Sequence, residues 1–144
     1  MSAESLEIHV IADSTGETAA RIARAAVTQF PTRRFTIVRH RKLSATSDLL
    51  NALEGIRGAD VPVAVFFTLV NEELAALVTN FCRDAHIPFA DLMTDAMRAL
   101  EEISGIPADQ VPMRPLGVEA DYFVRMAAID FAVREAAAEV AAIG

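Results

Sequence analysis

The chain has 144 residues, 53% of them hydrophobic and 23% charged, with a formal net charge of −7; it suits one compact domain with a real core and is not the composition of a disordered chain. The acidic balance argues against a nucleic-acid-binding surface, because phosphate backbones demand lysine and arginine. One cysteine, Cys82, excludes an internal disulfide framework, and no apolar run reaches the roughly 18 residues of a membrane span. The opening MSAESLE has no basic region before a long apolar run, so no secretory signal and a soluble cytoplasmic protein are expected.

Ile8, Val10 and Ile11 read as a first strand that ends at Asp13-Ser14-Thr15-Gly16. A helix follows from Glu17 to Phe30, with Ala19, Ile22, Ala23, Ala26, Val27 and Phe30 at spacings of three and four, and Pro31 ends it. Phe35, Ile37 and Val38 mark a second strand, which runs into the basic cluster Arg39-His40-Arg41-Lys42. Ser44 or Ser47 is placed to cap a helix carrying Leu49, Leu50, Leu53 and Ile56, closed by Gly58. VPVAVFFTLV, from Val61 to Val70, is the strongest strand and is apolar enough to be covered on both faces. Asn71 caps the next helix, with Leu74, Leu77, Val78 and Phe81 on one side. A short strand over Ile87 to Asp91 and a helix from Thr94 or Asp95 to Ile103, ended by Gly105, complete the alternation. Three prolines then mark a loop, and from Val118 the chain reads helical to Gly144.

Four strands alternating with helices predict an α/β fold, flavodoxin- or Rossmann-like. It has a parallel sheet of order 2-1-3-4, helices on both faces by right-handed crossovers, and a long C-terminal helix. Residues 1–117 form the α/β domain and residues 118–144 a helix packed on it or on a partner. Ligands in such folds lie past the carboxyl ends of the strands where strand order reverses. That edge collects the candidate phosphate- or target-binding residues Asp13, Ser14, Thr15, Gly16, Thr18, His40 and Arg41. Helix N-terminal amides, hydroxyls and a glycine suit an anion, while Asp13 opposes one; a plain helix cap is the alternative. The turn is not a Walker A loop, since Gly16 has no G-K-[ST] partner, and the chain has no G-x-G-x-x-G or G-x-S-x-G.

His9 alternates with apolar neighbours and reads as a buried, hydrogen-bonded core residue. His40 is equally a phosphate contact or a solvated loop residue; His86 and Cys82 read as structural. No metal-ligand spacing links them, so no metal and no catalytic set are assigned. On the last helix, Tyr122, Met126, Ile129, Val133, Ala136, Val140 and Ile143 alternate spacings of four and three, a seam for the domain's own sheet, a second copy or another domain.

IHVIADSTGETAARIARAAVTQF, VFFTLVNEEL, FCRDAHIPFADLM and DYFVRMAAIDFAV together resemble the N-terminal half of the pyruvate, phosphate dikinase regulatory proteins, close relatives of which regulate phosphoenolpyruvate synthase. The likeness covers nearly the whole chain, in order. It implies a bifunctional serine/threonine kinase and pyrophosphorylase: ADP-dependent phosphorylation of a dikinase active-site threonine, reversed by phosphate-dependent phosphorolysis that releases pyrophosphate. The family's P-loop lies beyond the segment matching DYFVRMAAIDFAV. Here Arg134 to Gly144 reads REAAAEVAAIG, where relatives continue with a His-Asp-Asp-Gly-like stretch. The resemblance therefore implies that this chain alone does not transfer phosphoryl groups and holds no cofactor of its own. ADP and phosphate are expected of the complete family protein, the dikinase or synthase is the expected partner, and a homodimer is expected, with no nucleic acid or membrane. The rival readings are a stand-alone small-anion or nucleotide-binding module and a purely oligomerising domain.

Overall fold

A computed structural model describes residues 5–112. The helical seam of Tyr122, Met126, Ile129, Val133, Ala136, Val140 and Ile143, and the domain boundary at residue 117, lie outside the described residues. Four strands, β1 (Ser5–Ala12), β2 (Arg34–His40), β3 (Val63–Thr68) and β4 (Phe89–Asp91), alternate with α1 (Glu17–Val27), α2 (Thr46–Arg57), α3 (Glu72–Asp84) and α4 (Thr94–Ser104). All strand pairs are parallel and the order is β2-β1-β3-β4, as the alternation predicts.

Pairing register sorts the side chains by face. Ile11 lies beside His40 on β2 and Phe67 on β3, while His9 lies beside Val38 and Val65. Paired residues share a face and alternate residues oppose it, so Glu7, His9, Ile11 and His40 project to one side and Ile8, Val10, Ala12 and Arg39 to the other. On the first side, Ile11, Val65 and Phe67 form the core with Leu49, Leu53 and Ile56 of α2 and Leu74, Val78 and Cys82 of α3. On the second side lies α1, whose inner stripe is Ala19, Ala20 and Ala23, all fully buried. Alanines there let the helix lie close to the strands, and the wider stripe read from the sequence is corrected: Ile22 and Phe30 stay exposed.

The element ends differ from the sequence reading for local reasons. The helix α1 stops at Val27 rather than Phe30, because Pro31 restricts the residue before it; Gln29 and Phe30 close as turns onto Ala26 and Val27 carbonyls. The strand β3 begins after Pro62, which has no N–H to give the ladder but whose carbonyl accepts from Glu7 N–H at 3.1 Å. Ala45 stands at the N-cap of α2 with no side-chain cap, Ser47 lies inside the helix, and neither serine caps it. Asn71 does cap α3, its Oδ1 accepting from Leu74 N–H at 3.0 Å. Gly105 closes α4 in the left-handed region at φ 74°, the ordinary glycine stop.

Candidate functional site

The carboxyl ends of β1 and β2 meet where the strand order reverses. After Ala12 the chain turns through Asp13-Ser14-Thr15-Gly16 into α1, and the loop after His40 lies across that turn. Lys42 N–H donates to the Ser14 carbonyl at 2.8 Å and Leu43 N–H to the Ala12 carbonyl at 3.0 Å. The two segments are thus joined through their backbones, but the His40 side chain lies on the Ile11 face of the sheet while the turn into α1 lies on the other, beside Val10, Ala12 and Arg39.

The residues divide by role. Asp13 is only 5% exposed, and its Oδ2 accepts from Val70 N–H at 2.9 Å, tying the end of β1 to the corner after β3. Its carboxylate is spent on the backbone, which accounts for an acidic residue at this edge. Ser14 is half-buried, and Thr15 and Thr18 are exposed. Thr15 Oγ1 accepts from Glu17 N–H at 3.4 Å, the only local capping bond from these hydroxyls among the described residues. Gly16 is the N-cap of α1 at φ 79°, a conformation in which glycine meets no steric penalty. It brings no side chain to cap the helix, so beyond the Glu17 N–H, which Thr15 takes, the start of α1 keeps first-turn amides without a side-chain cap at the positive end of the helix dipole.

Basic residues concentrate in the segment that follows this turn, although Arg33 and Arg34 lie at the far end of β2. Seven of the chain's thirteen basic residues fall between Arg21 and Lys42, a span without a single acidic residue, inside a chain of net charge −7. Glu17, just before it, receives three of them: Arg21 Nε and Arg24 Nη2 on Oε1 and Arg39 Nη2 on Oε2, each at 3.1 Å. The Arg21 hydrogen bond above all, then the charges of Arg39 and Arg24, hold the Glu17 carboxyl below its ordinary range. Arg41 is exposed in the loop after β2.

His40 is no solvated loop residue. It ends β2, is half-buried, and shares a face with His9. His9 Nδ1 lies 2.8 Å from His40 Nε2, and His9 Nε2 lies 3.0 Å from Glu7 Oε1. The rings stack with centroids 5.1 Å apart. Burial first, and the charge of His9 second, push the His40 pKa below the ordinary imidazole value. His9 is buried and hydrogen-bonded, as its place in the strand predicts, but its partners come from the next strand and from two residues upstream. The sequence carries one signal of this: Glu7 and His9 are two apart, hence on one face. Only the register of β2 adds His40.

Cys82 is fully buried, and burial pushes its thiol up to about 11, which removes it as a nucleophile at neutral pH. His86 is exposed at the joint of α3 and β4, with φ 57°. Among the described residues no group of three or more His, Cys, Asp or Glu is placed to hold a metal ion, and no helix is long and apolar enough to cross a membrane. A concavity of about 490 Å³ opens between α3 and α4 and is lined by Arg83, Phe89, Asp91 and Arg98 among others. Asp91 there accepts from the Met93 and Thr94 amides at 3.1 and 3.0 Å, so it serves the start of α4.

Fold and site together define a doubly wound α/β protein with a basic edge at its strand-order reversal. Residues 8–138 match the kinase/pyrophosphorylase family, and the chain belongs to that family. It is 47% identical over 137 residues to a relative from Cutibacterium acnes named as a pyruvate, phosphate dikinase regulatory protein, covering 93% of this chain and 47% of the relative. Relatives of the same name from Alkaliphilus oremlandii (36% identical, 93% of this chain, 48% of the relative) and Listeria monocytogenes (40%, 88% and 47%) align likewise. The chain spans about half the length of these curated relatives.

Proposed function

We propose that this chain is the N-terminal part of a regulator of pyruvate, phosphate dikinase or phosphoenolpyruvate synthase. The complete protein adds a phosphoryl group to a threonine of its target in an ADP-dependent reaction and removes it in a phosphate-dependent one. The share of this chain is to hold phosphate, or the phosphorylated surface of the target, at the carboxyl edge of the sheet; the last helix joins two copies. ADP binding belongs to the complete protein. Family membership and the names of the relatives support the regulator role.

The observation that carries the assignment to this edge is the concentration of charge: of the seven basic residues in the acid-free span, Arg21, Arg24 and Arg39 meet at Glu17 in the first turn of α1 and Lys42 bonds through its backbone to the Ser14 turn, while Arg33 and Arg34 lie at the far end of β2. Backbone amides and guanidinium groups together are the ordinary equipment of a phosphate site. The aspartate that argued against an anion is engaged with Val70 N–H.

The test is binding of the chain to purified dikinase and synthase, each with and without phosphate on the threonine. Binding to one of them that weakens at least tenfold in the Arg39→Ala/Arg41→Ala double variant supports the reading. Unchanged binding in that variant moves the docking surface elsewhere. Phosphate or nucleotide binding without affinity for either enzyme favours the stand-alone anion-binding module.

A further inference from the structure

The strand β4 is the last of the sheet and pairs only with β3. The Pro88 carbonyl accepts from Val65 N–H and Leu92 N–H donates to the Phe67 carbonyl, both at 2.9 Å, so these groups face β3. Backbone groups alternate sides along a strand, so the amides and carbonyls of Phe89 and Asp91 face the other way. None of these four groups is hydrogen-bonded among the described residues. The concavity between α3 and α4 runs along this edge, and Phe89 and Asp91 line it. The helix α4 has no buried residue, whereas each of the other three has at least three, so α4 does not close over the edge.

The charges of the concavity are sorted along its length. Glu72 and Asp95 stand in the first turns of α3 and α4, at the carboxyl end of the sheet. Arg98 lies one turn further along α4. Arg83 lies in the last turn of α3, its guanidinium 5.9 Å from the centre of the Phe89 ring. None of these four makes an ion pair among the described residues. Asp91 is already engaged with the Met93 and Thr94 amides. A helix rises about 1.5 Å per residue and a strand about 3.3 Å, so the stretch of α3 from Glu72 to Arg83 matches about five residues of extended chain.

We propose that the outer edge of β4 docks an extended segment of a partner protein, which adds a fifth strand and carries an acidic and a basic residue about five positions apart. Main-chain bonds to Phe89 and Asp91 supply the pairing. The acidic side chain meets Arg83 and Arg98, and the basic one meets Glu72 and Asp95. A segment of one charge sign gains at one end of the concavity and is repelled at the other, so the edge selects a pair of opposite charges rather than a net charge. The three-residue length of β4 and the proline before it blunt the edge against chance pairing, which leaves selection to the flanking charges. The docking edge lies at the opposite end of the sheet from β2 and does not rest on the anion site.

A heptapeptide library displayed on phage and selected on the chain supplies the probes, and amide hydrogen exchange followed by NMR locates them. The expected binders carry an acidic and a basic residue about five positions apart. They slow exchange at Phe89 and Asp91 and leave Leu92, already bonded to β3, unchanged. Binding weakens about tenfold or more in Arg83→Glu/Arg98→Glu, where both side chains are exposed, and that variant binds better when the acid of the peptide is exchanged for a base. A proline in the middle of the peptide, which removes a main-chain donor, abolishes binding. No selected binder, binders without the charge pair, or binders that leave the Phe89 and Asp91 amides unchanged overturn the inference. Self-association of the chain that the double variant abolishes also overturns it, and gives the edge to a second copy.

Discussion

Asp13 and Gly16 set the shape of the turn by different means. Asp13→Ala leaves Val70 N–H without its acceptor beside a buried corner, a loss of about 1–3 kcal/mol. A fall in Tm of several degrees on thermal unfolding, largely restored in Asp13→Asn, is the expected outcome. Gly16→Ala adds a methyl group that meets Val10 Cγ1 at 3.4 Å and Ala12 Cβ at 3.8 Å, which is ordinary contact. Its cost comes from the backbone: φ 79° strains an L side chain by about 1–2 kcal/mol. His40 brings a pH dependence. Its folded pKa lies below the ordinary 6.5, so below pH 6.5 the unfolded chain binds a proton the folded chain refuses. Its stabilising contribution is complete above pH 6.5 and declines as pH falls through the lowered folded value. Urea midpoints measured between pH 7.5 and 5 should drop less steeply in His40→Asn than in the wild type.

Elements carry the second set of effects. The α3 N-cap is a single side-chain bond, Asn71 Oδ1 to Leu74 N–H. Asn71→Ala therefore costs about 1 kcal/mol in a denaturant melt, while Ser44→Ala and Ser47→Ala cost little, because neither serine caps α2. That contrast marks what a sequence conveys about elements. Asn71 announces its helix because it stands directly between an apolar strand and a helical stripe. Two serines three residues apart leave the start of α2 open, and Ala45 takes the position with no side-chain bond at all. The stripe of α1 misleads in a similar way. Periodicity picks the large residues Ile22 and Phe30, but close approach of helix to sheet is made by the alanines. At the start of α1, Glu17 occupies three guanidinium groups that a phosphate would otherwise meet. Glu17→Gln removes that competing charge, so phosphate and pyrophosphate should bind several-fold more tightly, as read by calorimetry. Unchanged or weaker binding would make the carboxylate an organiser of the arginines instead.

At the scale of the whole molecule, topology was legible and the site only partly so. Four alternations of strand and helix suffice for a parallel sheet; the order 2-1-3-4, expected by analogy with doubly wound folds, is the one the structure shows. The convergence of the Asp13–Gly16 turn with His40 follows from that order alone. The histidine relay does not: it needs the register that sets His9 beside Val38 and Ile11 beside His40. The orientation of Asp13 and the approach of Arg39 from β2 to Glu17 have no sequence signature, whereas Arg21 and Arg24 reach Glu17 from four and seven residues along the same helix face. Charge distribution has such a signature. An acid-free basic span within a −7 chain polarises the domain toward its β2 edge, where strand pairing ends.

The most direct test of the turn after β1 as a phosphate site is thermal unfolding of the chain with millimolar phosphate, pyrophosphate, AMP, ADP or ATP, repeated in a Ser14→Ala/Thr15→Val variant. A ligand at about 100 times its Kd stabilises by about 2.7 kcal/mol, a shift of several degrees. Such a shift with phosphate or pyrophosphate in the wild type, lost in the double variant, is the expected result. No shift with any of the five, or an equal shift in both proteins, would contradict it and reduce the turn after β1 to a corner of the fold.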